Sequence, residues 1–329
     1  MKKVLCLLFT LLNFGFIFAN DTYFFTSGGN LVPAEEKDIK VQMKSEIISI
    51  VLNPKYYEVT VDFDFYNHGD KVELLVGFPF FEAGIGGHGK IYDFKCWTNG
   101  VLTDYSDMPL VRNFSNHNYD AAELENAYTR KIVFPDRKQT KTKVNYKSEY
   151  GYDVDGLIIS YLYGTGRSWF FDIGEMTVII ENNLPYSRPD ELVLPGKKED
   201  FKRVKDNVWE AHFYKIEPEY TDCIRIHAKD ILDDTGPKSF PAYGYKFQTE
   251  KANVDSLFWY TKPQLRIMRN TIYALHGYDF KSKDLKELFN DWGKYWYPKY
   301  TVNPDFSEDD LTEIEKYNIE LLLKEEAGR

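Results

Sequence analysis

Tyr57, Val59, Val61, Phe63 and Phe65 alternate with Glu58, Thr60, Asp62 and Asp64. Neighbouring side chains of a strand point to opposite faces, so this period of two gathers the apolar residues on one face and the polar ones on the other. A strand with one apolar face needs a second layer to bury it. Turn chemistry follows at Asn67-His68-Gly69-Asp70, and alternation resumes at Val72, Leu74, Val76 and Phe78. The pair predicts an antiparallel hairpin.

The same pattern recurs along the chain. Tyr92, Phe94 and Cys96 alternate with Asp93 and Lys95, and Asn99-Gly100 is a two-residue turn signal before Val101 and Leu102. Val144, Tyr146, Ser148 and Tyr150 form another set, and 157–163 is a nearly continuous apolar run closed by Gly164-Thr165-Gly166. Strand-like runs follow at 176–180, 207–214 and 223–228. In this half only 120–128 reads as a helix. Many short strands separated by turns predict a sandwich or a pair of packed sheets.

Past residue 260 the spacing becomes helical. Thr261-Lys262-Pro263-Gln264 has the form of a capping box, Leu265, Met268, Ile272 and Leu275 share one face, and Gly277 is a natural stop. A second helix is expected from Ser282, with Leu285, Leu288, Phe289 and Trp292 on one side. A third is expected from Ser307, capped with Asp310 and continued by Leu311, Ile314, Leu321 and Leu322. The expected fold class is therefore α+β and multidomain. An antiparallel β-sandwich-like domain covers residues 20–234, a linker or last irregular segment 235–256, and a small three-helix domain 257–329.

The first residues point to export. Lys2 and Lys3 precede an apolar stretch from Val4 to Ala19, and Asn20-Asp21 follow a small residue suited to cleavage. This predicts a signal peptide over residues 1–19. The alternative is an uncleaved anchor, but a membrane helix needs about 20 apolar residues. The mature chain is thus expected in the periplasm or outside the cell, with no transmembrane span. Without Lys2 and Lys3 the 41 basic residues become 39 against 51 acidic ones, a net charge of −12. Such a surface repels nucleic acid and anionic headgroups. Cys96 and Cys223 remain, either as a disulfide in an oxidising compartment or as two buried thiols.

Catalytic motifs are weak. Gly84-Ile85-Gly86-Gly87-His88-Gly89 fits G-x-G-x-x-G, but a strand-like run follows where a dinucleotide site needs a helix. Asp153-Val154-Asp155-Gly156 lacks the remaining ligands of a calcium loop. No two histidines stand at i, i+4, and no G-x-S-x-G elbow occurs. No cofactor or metal is expected.

Polar and aromatic residues of the helical region are the candidates for binding. Arg269, Tyr273 and His276 recur at i, i+4, i+7 and share a helical stripe, and Asn318 places an amide on the apolar face of the last helix. Arg269, His276 and Asn318 either build a shared polar site or a network that fixes helix packing. Trp296 and Tyr297 lie in an aromatic segment, 292–300, whose rings suit sugars or peptide stems, or else fill gaps between short helices.

Residues 265–278, with Tyr273-Ala274-Leu275-His276-Gly277 at their centre, closely resemble the signature of the YARHG domain, with Leu275 standing where that family's name has arginine. Phe280 to Leu285, Trp296-Tyr297-Pro298 and Ile314 to Glu320 extend the resemblance across about 257–326. The resemblance implies a bacterial extracytoplasmic protein whose module binds cell-wall material without a defined active site. The N-terminal half resembles, more loosely, a bacterial family known only as a domain of unknown function, through Gly28 to Val32, Val61 to Asn67, Gly77-Phe78-Pro79 and Gly164 to Trp169. Together these readings predict an exported, non-enzymatic envelope protein that contacts wall glycan or peptide, or an envelope protein partner. The alternatives are an envelope hydrolase with an acid–base pair in the β domain, and a structural or interaction subunit.

Overall fold

The computed structural model describes residues 24–29, 32–33, 39–84, 91–112, 124–152, 156–219, 222–231, 246–292 and 300–329. The expected signal peptide, and residues 85–89 of the glycine motif, lie outside them. Among the described residues the strands are β1 (Phe24–Gly29), β2 (Val32–Pro33), β3 (Val41–Leu52), β4 (Tyr57–Asn67), β5 (Val72–Gly84) and β6 (Ile91–Thr98). They continue as β7 (Val101–Thr103), β8 (Ser106–Arg112), β9 (Leu124–Phe134), β10 (Gln139–Ser148), β11 (Gly151–Tyr152) and β12 (Gly156–Leu162). The last are β13 (Ile173–Asn182), β14 (Ser187–Val193), β15 (Lys202–Lys205), β16 (Val208–Ile216) and β17 (Cys223–Asp230).

These strands form two sheets that share one core. The first runs β14-β17-β12-β11-β1-β5-β9-β8 with β2 beside β5, and the second β15-β16-β13-β3-β4-β10-β6-β7. In the second sheet Ala211, Val178, Ile48, Val61, Val144 and Cys96 stand in one register row. Each of them is buried. The first sheet answers with Phe78, whose ring lies 5.3 Å from Phe94 and 5.4 Å from Tyr146. The Tyr161 hydroxyl donates across the core to Glu46 Oε1 at 2.7 Å, so this fully buried carboxylate has a partner.

The sheets differ from the sequence expectation in three ways. They are mixed, because β1 runs parallel to β12 and β13 parallel to β3. Alternation reports a buried face but not a strand's direction. Nor do β4 and β5 form a hairpin: β4 pairs with β3 and β10, whereas β5 pairs with β1, β2 and β9. Residues 67–70 instead carry the chain from one sheet to the other. The buried Asn67 holds this crossing, its amide donating to Asp70 O at 2.8 Å and Phe134 O at 3.1 Å. Two strands facing one core from opposite sheets show the same alternation as two strands of a hairpin. Finally, Tyr128, placed in the expected helix at 120–128, lies in β9, while 120–123 are outside the described residues. Arg130 takes an inward position of that strand and so hides its period of two.

Asn99-Gly100 does turn β6 onto β7, with φ of 50° and 81° at the two central residues. Positive φ at both positions is what a type I′ turn requires. Cys96 and Cys223 are free thiols, one in each sheet.

The helical region contains α1 (Lys246–Thr249), α2 (Lys262–Leu275), α3 (Lys283–Trp292) and α4 (Glu313–Ala327). None of the described helices is long and apolar enough to cross a membrane. The Thr261 box forms, with Gln264 Oε1 accepting from Thr261 N at 3.0 Å. The last helix starts at Glu313, later than expected. Ser307 and Asp310 do pair, but they close a single 3-10 turn, and a second box at Thr312 and Glu315 opens α4.

One short segment fastens the two domains. Leu257 and Tyr260 belong to the helical core, while Trp259 between them belongs to the sandwich core. Trp259 is 2% exposed, its ring 5.0 Å from Trp209 and 5.3 Å from Phe201. Arg203 lies over Trp209 at 4.9 Å and donates to the carbonyls of Phe258 and Tyr260. Gln264 Nε2 donates to Leu184 O and Ser187 O, at 2.8 and 2.9 Å. Asp206 accepts from Lys262 N at 2.8 Å, at the positive end of α2. Trp259→Ala is expected to cost about 3–5 kcal/mol. It should split a single unfolding transition, followed by calorimetry, into two. A variant that still melts as one unit at the wild-type temperature would show that Trp259 does not couple the domains.

Candidate functional site

The helical domain places its polar side chains where α2 meets α4. His276 occupies the C-cap of α2, and Gly277 follows at φ +77°. Gly277 N donates to Ala274 O at 3.0 Å and Tyr278 N to Tyr273 O at 3.1 Å, which closes the helix end. A side chain at 277 is excluded twice over. The φ disfavours it, and an added Cβ would stand 2.5 Å from Thr301 O and 2.8 Å from Asn303 N. Ala274 is small and buried in a satellite cluster with Phe280, Leu285 and Phe289. Leu275 packs against the same cluster, so an apolar residue suits the position where the family name has arginine.

His276 Nε2 lies 2.7 Å from Glu315 Oε1, and Glu315 is 1% exposed. Glu315 Oε2 accepts from Thr312 N at 2.8 Å and from Thr312 Oγ1 at 2.9 Å. Burial alone would raise this carboxyl, but the bonds from His276 and Thr312 outweigh it and hold Glu315 below the usual carboxylate range. Arg269 pairs with Glu326 at 3.1 Å. Asn318 donates to Phe247 O and Glu250 O at 2.9 and 2.8 Å and accepts from Ala252 N at 2.7 Å. Arg269, His276 and Asn318 thus take three different sets of partners rather than one shared cluster. Two of them tie α2 to α4, and the third ties the segment around α1 to α4.

Tyr273 and His276 do meet, through rings that the sequence reading left out. Tyr273 lies 5.7 Å from Tyr278 and 6.3 Å from Phe306, Tyr278 lies 5.6 Å from Phe306, and His276 lies 6.2 Å from Phe306. All four are half-buried. Burial raises the Tyr273 hydroxyl above its ordinary value, and Glu308 adds to this. Tyr300 donates to Tyr278 O at 2.8 Å. Trp296 and Tyr297 lie outside the described residues. The patch offers aromatic faces for stacking and an imidazole for hydrogen bonding. Among the described residues no group of three or more His, Cys, Asp or Glu is placed to hold a metal. Glu315, Tyr278 and Phe306 were not among the expected site residues, although the first two lie in segments that carry the family resemblance. Only Glu315 carried a signal, as the closing residue of the Thr312 capping box.

Replacing Glu315 by Ala removes the cap and strands His276, and should cost about 2–3 kcal/mol. The native carboxyl has its value depressed, so its contribution is present above the usual carboxylate range and is lost as pH falls through the depressed value. Glu315→Gln should therefore flatten the fall in stability below about pH 5. Denaturant unfolding across that range checks this, and identical pH curves for variant and wild type would refute it.

Residues 245–327 match the family model of the YARHG domain. The chain therefore carries that domain, and the match includes α1. No curated protein matches the sequence. A solved structure from Legionella pneumophila, provisionally named a nutrient binding protein, is 21% identical with a TM-score of 0.53. The match covers 93% of this chain and 99% of that one, so the two share a fold across both domains. An M1 zinc metallopeptidase from Deinococcus radiodurans is 7% identical at a TM-score of 0.30, covering 59% of this chain and 45% of its own. Yeast LTA4 hydrolase is 11% identical at 0.32, with 57% and 28% covered. Neither of these two likenesses is close enough to bear on fold or chemistry.

Proposed function

We propose that this chain is an exported binding protein of the cell envelope, and that its YARHG domain contacts wall glycan or peptide through Tyr273, His276, Tyr278 and Phe306. The aromatic patch carries the reading. It places half-buried rings beside an imidazole held by a buried carboxylate. Sugar rings present C–H faces to aromatic rings and hydroxyls to nearby polar groups, which matches this mixture. Arg269, Glu315 and Asn318 form the support behind it, since their hydrogen bonds are made within the domain. YARHG domains go with exported proteins, which supports cleavage of residues 1–19. The Legionella structure of similar fold is named for binding, which also favours a binding role over catalysis.

Sedimentation of the purified exported chain with insoluble cell wall tests the proposal. Wild type should co-sediment, and Tyr273→Ala combined with Phe306→Ala should bind at least about 10-fold less, the effect of removing a hot-spot contact. The β domain should stay folded by near-ultraviolet circular dichroism. Trp296→Ala with Tyr297→Ala tests whether the contact extends to those residues. A wild-type chain that stays in the supernatant would sink the wall reading. Undiminished binding by the folded 273/306 variant would move the contact away from this patch.

A further inference from the structure

Phe171 combines two unfavourable features. Its φ is 62°, in the left-handed region that a bulky side chain rarely adopts, and its ring is 65% exposed. The residues on either side hold it there. Trp169 is buried, its ring 4.6 Å from Phe65 and 5.8 Å from Phe134. Phe170 N donates to Val41 O at 3.0 Å, and Ile173 is buried where β13 begins. Between these anchors Phe171 is turned outward. Strain of this kind persists only where the surroundings over-determine it, and it gathers at functional sites. Glycine would take the position without strain, so folding alone does not call for phenylalanine.

Other rings stand beside it. Phe170 lies 3.9 Å from Phe171, and His68 lies 5.9 Å from Phe171, 5.8 Å from Phe170 and 4.8 Å from Tyr66. His68 is exposed, and Phe170 and Tyr66 are half-buried. The imidazole has a fixed direction. The buried Gln42 donates its amide to Asp172 Oδ1 at 3.2 Å. Gln42 Oε1, 3.0 Å from His68 Nε2, is therefore left to accept from that nitrogen. With its proton on Nε2, the neutral ring presents Nδ1 as an acceptor, and Nδ1 has no partner among the described residues.

This corner is an open surface rather than a cavity, because Phe171 and His68 both face solvent. Sites for small molecules enclose most of their ligand, whereas a polymer can lie across a surface. The bordering charges balance, Lys40, Lys71 and Arg137 against Asp70, Asp136 and Asp172, so a charged polymer gains little. β3 and β4, which carry Gln42 and Tyr66, are paired on both sides, so neither offers an edge to an extended peptide. We propose that this corner of the sandwich binds a neutral glycan chain, which stacks its C–H faces on Phe171 and Phe170 and donates a hydroxyl to His68 Nδ1. Sugar rings supply both kinds of group at the spacing of one residue. The site goes beyond the YARHG patch and does not rest on it.

The test is calorimetric titration of the purified chain with cellohexaose and chitohexaose as neutral chains and a galacturonate hexamer as an anionic one. At least one neutral hexamer should bind, and the anionic one should not. Phe171→Gly should melt within about 4 °C of wild type, because glycine accepts this φ, yet bind at least about 10-fold less. His68→Ala removes the acceptor and should weaken binding about 5-fold. Phe171→Trp keeps an aromatic face and should retain binding, which preserves the test if the glycine variant fails to fold. Tyr273→Ala with Phe306→Ala should leave hexamer binding unchanged, so that failure here and failure of the wall reading are told apart. The proposal is overturned if neither neutral hexamer binds, if the galacturonate hexamer binds in their place, or if Phe171→Gly folds and binds as wild type does. It is equally overturned if the hexamer is lost from the 273/306 variant and kept by Phe171→Gly, which would place the contact on the helical domain.

Discussion

Trp259 and the guanidinium of Arg203 hold this molecule together as one body. Three residues of a single short segment, Leu257, Trp259 and Tyr260, are divided between two cores. Burial of so large an aromatic side chain contributes more than any single surface contact, and it does so across the domain boundary. The carbonyls of the backbone that carries Trp259 are met in part locally, Leu257 O by Tyr260 N and Phe258 O by Trp209 Nε1, each at 3.2 Å. Arg203 takes those of Phe258 and Tyr260, and Arg329 at the far end of the chain takes those of Leu257 and Tyr260. Burial, with Arg329 close by, pushes Arg203 down to about 10, still charged at neutral pH. The helical domain is thereby anchored against β15 and β16, and its aromatic patch has a fixed orientation relative to the sandwich.

Within the helical domain the family signature has a local physical meaning. Gly277 is required because the helix end turns left-handed and presses against residues 301–303. Ala274 is buried against Phe280, Leu285 and Phe289, where a small apolar residue is in keeping with its surroundings. His276 is placed to meet a carboxylate that is buried and already accepts from the cap of α4. These residues build a frame, and the tyrosines beside them are what the frame presents. The same division appears in the sandwich, where nearly every inward side chain is apolar and the exceptions stand out. Glu46 has the Tyr161 hydroxyl, and Arg130 faces the Cys96 thiol from the other sheet.

Reading the sequence recovered the strands around Val61 and Val144 and the helices from Lys262 and Lys283, because each has a continuous period and an identifiable end signal. It recovered the strand at Phe94 but put Tyr92 on its inner face, where a bulge places Ile91 instead. It missed β9, because Arg130 occupies a position where the pattern demands an apolar residue. It paired β4 with β5, because two strands on opposite walls of one core alternate alike. It grouped Arg269, His276 and Asn318 by helical spacing, yet spacing says nothing about which carboxylate or carbonyl each one meets. Tyr278 and Phe306 were not singled out as site residues for a similar reason, since one lies beyond the helix end and the other in a loop.

The sequence by itself determined the class of the fold, the change from strands to helices near residue 260, and the YARHG signature. These depend on side-chain period and on local backbone chemistry, both of which act over a few residues. Tertiary structure decided which strands share a sheet, which residue of 257–260 enters which core, and which polar groups are paired. Those outcomes depend on contacts between residues far apart in the chain, such as Glu46 with Tyr161, Arg203 with Phe258 and His276 with Glu315.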